Sequence, residues 1–228
     1  MNPSFWGSAA WDFLHQVPWL FPNEILSKKD SIDVLKFLHS FLNILACPTC
    51  SKDALDIEKK LNLLKSLIIP FNKNIMTRGK IAQYVYNLHN EVNLKLGYSF
   101  YGTNWRDSLK IRKKWAKNMF IFIFSVAWNY PKINADPEKK ILYEKFFSID
   151  LPLILKYNEL GKIYSSYLLI NPFDNNVMIN RTTVFSWIYN LKISVSHICG
   201  DTWNFTDICD FLQAMEARLD CNVSNGCQ

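Results

Sequence analysis

An all-α fold is what the sequence predicts, on three observations. Apolar residues recur at helical spacing through most of the chain. Only seven glycines occur in 228 residues, too few for a turn-rich β fold or a Gly-rich phosphate loop. Pro131, Pro137, Pro152 and Pro172 punctuate the periodic segments of the second half. Half the chain is apolar (49%) and 15% is aromatic, so a packed core is expected and wholesale disorder is not.

The elements follow in order. Residues 4–21 place Trp6, Trp11, Leu14, His15 and Pro18 at helical intervals. Asp30 or Ser31 is suited to cap a second helix whose stripe is Ile32, Leu35, Leu38, Leu42 and Leu45. That helix stops before Cys47-Pro48, and Pro48 suits the first turn of a third, where a missing N–H costs little. The third carries Ala54, Leu55, Ile57, Leu61 and Leu64, and Pro70 breaks it. A fourth runs from about 77 to 96, with Ile81, Val85, Leu88 and Val92 on one face and Gly97 ending it. Four helices with short connections imply a compact bundle. Periodicity weakens over 98–109, then returns over 110–129, 137–148, 152–169, 181–198 and 205–219, the last capped by Thr206 or Asp207. Two units are expected, 1–110 and a mainly helical 111–228.

Bulk properties narrow the function classes. The net charge of +6 gathers largely in Lys110–Lys117 and Lys132–Lys140, which reads as solvated helix faces and not as a nucleic-acid surface. Met1 to His15 lacks the pattern of a signal peptide. The most apolar stretch, Met119 to Trp128, is shorter than the ~20 residues a bilayer demands. No membrane association is therefore expected. Six cysteines without a signal peptide point to metal binding or to redox chemistry.

Three constellations carry chemistry. Cys47-Pro48-Thr49-Cys50 sets two thiols at the head of a helix, where the dipole and free N–H groups favour a thiolate. No second C-x-x-C completes a zinc site, and no metal is expected. His89 and Asn93 share a helix face with Asn90 beside them; such polar groups need partners if buried. Trp11 and His15 are also i and i+4, an indole beside an imidazole that can stack on a flat ring. Taken singly, the second reads better as a polar surface stripe and the third as a core tryptophan with a satisfied histidine.

Their joint order resembles the Erv/ALR family of FAD-linked sulfhydryl oxidases. Trp11-x₃-His15, Phe21-Pro22, Cys47-Pro-Thr-Cys50, His89-Asn90-Glu91-Val92-Asn93-Leu94-Lys95-Leu96-Gly97 and Asn104-Trp105-Arg106-Asp107 match the family's motifs in sequence. The likeness covers residues 4–109. Ser8 and Tyr98 stand where the family favours basic residues, and the family's additional structural disulfide has no counterpart.

The resemblance implies a four-helix bundle, with a short fifth helix, that binds FAD. Gly7, Ser8, Trp11, His15, His89, Asn90, Asn93 and Trp105 would line the cofactor, with Lys95 and Arg106 as cationic partners. Cys50 would lie against the flavin and Cys47 would receive substrate. The chain would oxidise dithiol proteins, thioredoxin-like or viral structural ones, and reduce O2 to H2O2. It would do so as a homodimer in the host cytoplasm, the virus factory or the virion of a large-DNA-virus (mimivirus-like) source. Cys199, Cys209, Cys221 and Cys227 are candidates for a shuttle or for structural disulfides, with three connectivities open. Two other readings are a structural protein that merely retains flavin and a zinc-binding C-x-x-C module.

Overall fold

The computed structural model describes residues 3–62, 76–109 and 115–199. Every regular element among them is helical: α1 Pro3–Gln16, α2 Lys28–Asn43, α3 Pro48–Leu61, α4 Arg78–Leu96, α5 Trp115–Trp128, α6 Pro137–Lys145, α7 Leu151–Leu155, α8 Glu159–Ile170, α9 Arg181–Ser194 and α10 Ser196–Cys199. The one β contact among the described residues is an isolated antiparallel bridge between Ile25 and Thr77. Among the described residues no helix is long and apolar enough to cross a membrane.

Side chains set the helix starts. Ser27 caps α2 by accepting the Asp30 N–H at 3.1 Å, so the helix begins one turn earlier than the expected caps Asp30 and Ser31. Asp30 instead occupies the first turn, where a carboxylate favours the positive end of the dipole. Thr77 caps α4 through the Lys80 N–H (3.2 Å), and Asn180 forms a capping box with Thr183 at the head of α9. Gly97 closes α4 in the left-handed region at φ 73°, as the sequence suggests.

Besides α3, which ends at Leu61 where Asn62 turns left-handed, short of the expected Leu64, and 181–198, which Val195 divides into α9 and α10, two segments depart from the expected helices. The first runs on from α1 as a 3-10 turn, Val17–Leu20, with Pro18 inside it. The second is the 152–169 helix, which is two: α7 ends at Leu155, Asn158 caps α8 by accepting the Gly161 N–H at 3.0 Å, and the chain bends between them. Apolar spacing continues across the bend, which is why periodicity alone misses it. A π-helical turn, Phe146–Asp150, joins α6 to α7. The expected helix 205–219 lies outside the described residues.

α1–α4 form the expected bundle, with Trp105–Leu109 as a short 3-10 turn against α4. α5 lies along α1, and α9 packs on α5. The core is aromatic: Phe13 meets Phe37 edge-on at 5.7 Å, Phe41 stacks on Phe122 at 4.5 Å and Phe37 on Phe146 at 6.2 Å. Polar fasteners bind α2 to the later helices. Lys156 Nζ reaches Asp30 Oδ1 at 2.6 Å and Asp33 Oδ2 at 2.8 Å, while Ser40 and Lys145 both hydrogen-bond the buried Asp150 carboxylate.

Candidate functional site

The head of α3 is built around the two cysteines. Cys47 takes the cap position in extended conformation, Pro48 opens the helix, and Cys47 Sγ accepts the Cys50 N–H at 3.2 Å. The pair is joined as a disulfide, with Cα atoms 5.1 Å apart. Ser51 fixes the turn twice, its N–H donating to Cys47 O at 2.9 Å and its hydroxyl to Leu42 O at 2.6 Å. Cys47 is 5% exposed and Cys50 half-buried. On reduction, the Cys50 N–H that points at Cys47 Sγ and the positive end of the α3 dipole favour a thiolate at this turn.

A second feature joins α1 and α4. His15 Nε2 and His89 Nδ1 lie 3.1 Å apart, one donating and the other accepting. Trp11 stacks on His89 at 4.0 Å and 10°. Tyr101, from the loop after α4, stacks on both imidazoles, at 4.5 Å from His15 and 4.7 Å from His89. Its N–H donates to Asn90 Oδ1 at 2.6 Å. Sequence reasoning found Trp11, His15, His89 and Asn90 but missed Tyr101. The signal was the Phe100-Tyr101 pair just past the helix end, in a segment without periodicity.

The other candidates are spread along α4. Asn93 Nδ2 donates to Ser99 O at 3.0 Å and helps close the Gly97 turn. Lys95 pairs with Asp53 of α3 at 2.7 Å, half-exposed, tying the cysteine helix to the histidine helix. Trp105 lies against Gly79, at the opposite end of α4, and Arg106 rests 4.9 Å above the Trp105 ring. At 1.5 Å per residue, Gly79 and Lys95 stand about 24 Å apart, a span suited to an elongated ligand. Gly7 and Ser8 lie on α1 one turn before Trp11. Cys199 ends α10, while Cys209, Cys221 and Cys227 lie outside the described residues, and with them their pairing.

A cavity and an unmatched buried donor lie along α4. A cavity of about 440 Å³ is lined by Leu61, Tyr86, Asn87, Asn90, Glu91 and Phe100, between α3 and α4. Asn90 is 6% exposed, and its Nδ2 has no hydrogen-bond partner in the protein. A buried unmatched amide donor costs about 1–3 kcal/mol, which a ligand acceptor would recover. Tyr86 and Phe100 are the aromatic residues of this lining; Trp11, His89 and Tyr101 stack on one another, and neither they nor Cys47 and Cys50 line the cavity. Among the described residues no group of three His, Cys, Asp or Glu side chains is disposed around a metal. The Erv1 / Alr family model matches residues 8–116 of the chain, which holds both the disulfide and the ring stack. No solved structure matches the chain.

Proposed function

The chain belongs, through residues 8–116, to the Erv1 / Alr family, a family of FAD-linked sulfhydryl oxidases, and on that premise we propose that Cys47 and Cys50 oxidise dithiols with O2 as terminal acceptor. The observation that carries this reading is the union, within one bundle, of a helix-head disulfide and a stacked Trp11–His89–Tyr101 ring set.

In this reading a substrate thiolate attacks Cys47, and Cys50 leaves as a thiolate stabilised by the first turn of α3. The second substrate thiolate then resolves the mixed disulfide and frees Cys47. FAD held by this bundle would supply the two-electron chemistry that links the reduced cysteines to O2, with H2O2 as the product. Trp11, His15, His89 and Tyr101 would open from their mutual stack to offer ring faces to it, and Asn90 Nδ2 would provide a donor. Lys95 keeps α3 and α4 in register through Asp53. Gly7, Ser8, Asn93, Trp105 and Arg106 complete the candidate binding set. Dithiol proteins as partners and a homodimer belong to the same proposal.

The test is oxygen uptake and peroxide release with dithiothreitol, beside flavin content. The parent chain turns over and purifies yellow. Cys50→Ser stays yellow and loses turnover by about a hundredfold or more. A colourless parent protein, or equal uptake by Cys50→Ser, refutes the reading.

A further inference from the structure

The segment after α4 runs back along the helix it has just left. Gly97 turns the chain, the Tyr98 N–H donates to Asn93 O at 2.8 Å, and Asn93 Nδ2 donates to Ser99 O at 3.0 Å. Two residues on, the Tyr101 N–H donates to Asn90 Oδ1 at 2.6 Å. Gly102 follows in the left-handed region at φ 62°, and Trp105 lies against Gly79 near the start of α4. Residues 98–104 hold no helix or strand of their own. Asn90 and Asn93, about one turn apart on α4, serve as pegs for this stretch of backbone.

Asn90 is the buried peg. It is 6% exposed, whereas the Asn93–Ser99 bond is open to solvent. A backbone N–H can meet only an acceptor, so the Asn90 atom that faces Tyr101 is its oxygen, and the orientation of the amide is fixed. The Phe100–Tyr101 peptide held in this way has a ring on either side of it. The Tyr101 ring stacks on both imidazoles, 4.5 Å from His15 and 4.7 Å from His89, while Phe100 lines the cavity with Tyr86 and Asn90.

The resemblance assigns Asn90 and Asn93 to direct contact with the cofactor. One polar atom of each is instead engaged with the returning segment.

We propose that Asn90 and Asn93 act on the flavin site through this segment, and that Asn90 is the positioning residue for Tyr101. The inference rests on the reading of the Trp11–His89–Tyr101 rings as the lining of that site. Asn90 Oδ1 sets where the Tyr101 ring meets His15 and His89. Without it the segment is still held at Asn93 and Trp105, and the ring between those two points loses its register over the imidazoles. The two ends of one amide thus have separate tasks, the oxygen for Tyr101 and the nitrogen for a ligand acceptor.

Two measurements on the full chain test this. The first is hydrogen exchange at the Tyr101 amide, read beside the Tyr130 amide, which donates to Ala127 O in the second half and reports on the fold. Asn90→Leu removes the acceptor and is expected to speed exchange at Tyr101 about tenfold or more, with Tyr130 at the parent's rate. Asn90→Ala repeats the test without added bulk. Asn90→Asp keeps the acceptor and should hold Tyr101 at the parent's rate. An unchanged Tyr101 rate in the Leu and Ala variants, or an Asp variant as fast as they are, overturns the proposal. The second measurement is flavin retained on dialysis. Asn90→Leu should lower it about tenfold in the parent but about threefold or less in the Tyr101→Ala background, where no ring is left to position. Equal factors in both backgrounds show that Asn90 acts by its own contact alone, and overturn the proposal. A colourless parent overturns the flavin reading instead, and the exchange rates then decide the placement of Tyr101 by themselves.

Discussion

His15 and His89 come from helices 74 positions apart in sequence, yet their facing nitrogens lie 3.1 Å apart. One hydrogen serves both rings, so each fixes the other's orientation, and Trp11 and Tyr101 hold the pair from their faces. Replacing His89 by Ala removes the partner of His15 and the surface under both aromatics. The expected result is flavin retention weakened by about tenfold or more, read as the absorbance lost on dialysis. Normal flavin content in His89→Ala would count against this lining. Trp11 and His15 were legible as an i, i+4 pair, and His89 and Asn90 through the His89-to-Gly97 run that resembles the family's motif. Tyr101 was not, because the 98–104 segment has no period and its ring partners belong to other elements. The pairing of the cysteines was legible but not their burial: the resemblance implies an accessible Cys47, whereas Cys47 is 5% exposed, behind buried Ala46 and a turn that Ser51 ties to Leu42 O.

Among the elements, the joint between α7 and α8 is the tightest. A Cβ on Gly161 would sit 1.9 Å from the Leu155 carbonyl oxygen, a backbone atom that cannot swing aside. Gly161→Ala should cost about 1–3 kcal/mol, lowering Tm by about 2–4 °C per kcal/mol in a thermal melt. The break was hidden from periodicity because Leu151, Ile154, Leu155 and Leu160 are all buried on both sides of it.

The head of α2 carries a titratable clamp to the end of α7. Burial pushes the Asp30 carboxyl up, but hydrogen bonds from Lys156, Ser27 and Tyr157 outweigh it and hold it below its ordinary value of 3.8. A depressed carboxylate contributes stability that is full above its unfolded value and is lost as pH falls through the folded one. Urea midpoints measured between about pH 5 and about pH 2 should therefore fall more steeply for the parent than for Asp30→Asn. Parallel curves would show that the clamp adds nothing.

At the scale of the molecule, aromatic contacts cross the expected boundary near residue 110. Trp6 meets Phe122 at 6.2 Å and Phe13 stacks on Trp115 at 6.5 Å, besides the Phe41–Phe122 pair. A chain cut after residue 110 is expected to bind a hydrophobic dye strongly and to lose the sharp near-ultraviolet dichroism of packed aromatics, against a full chain that does neither. The helical class was legible throughout, since it depends on local spacing and on few glycines. The packing of α5 along α1 was not, because nothing local in an apolar helix names its neighbour.

The central claim is that the sulfurs at the head of α3 deliver electrons to a flavin held by the same bundle. Anaerobic addition of dithiothreitol to the yellow protein, followed at the flavin absorbance band, tests it most directly. The parent should bleach within seconds to minutes and recover its colour on admission of air, while Cys47→Ser and Cys50→Ser remain yellow. Bleaching of Cys50→Ser at the parent's rate would contradict the account.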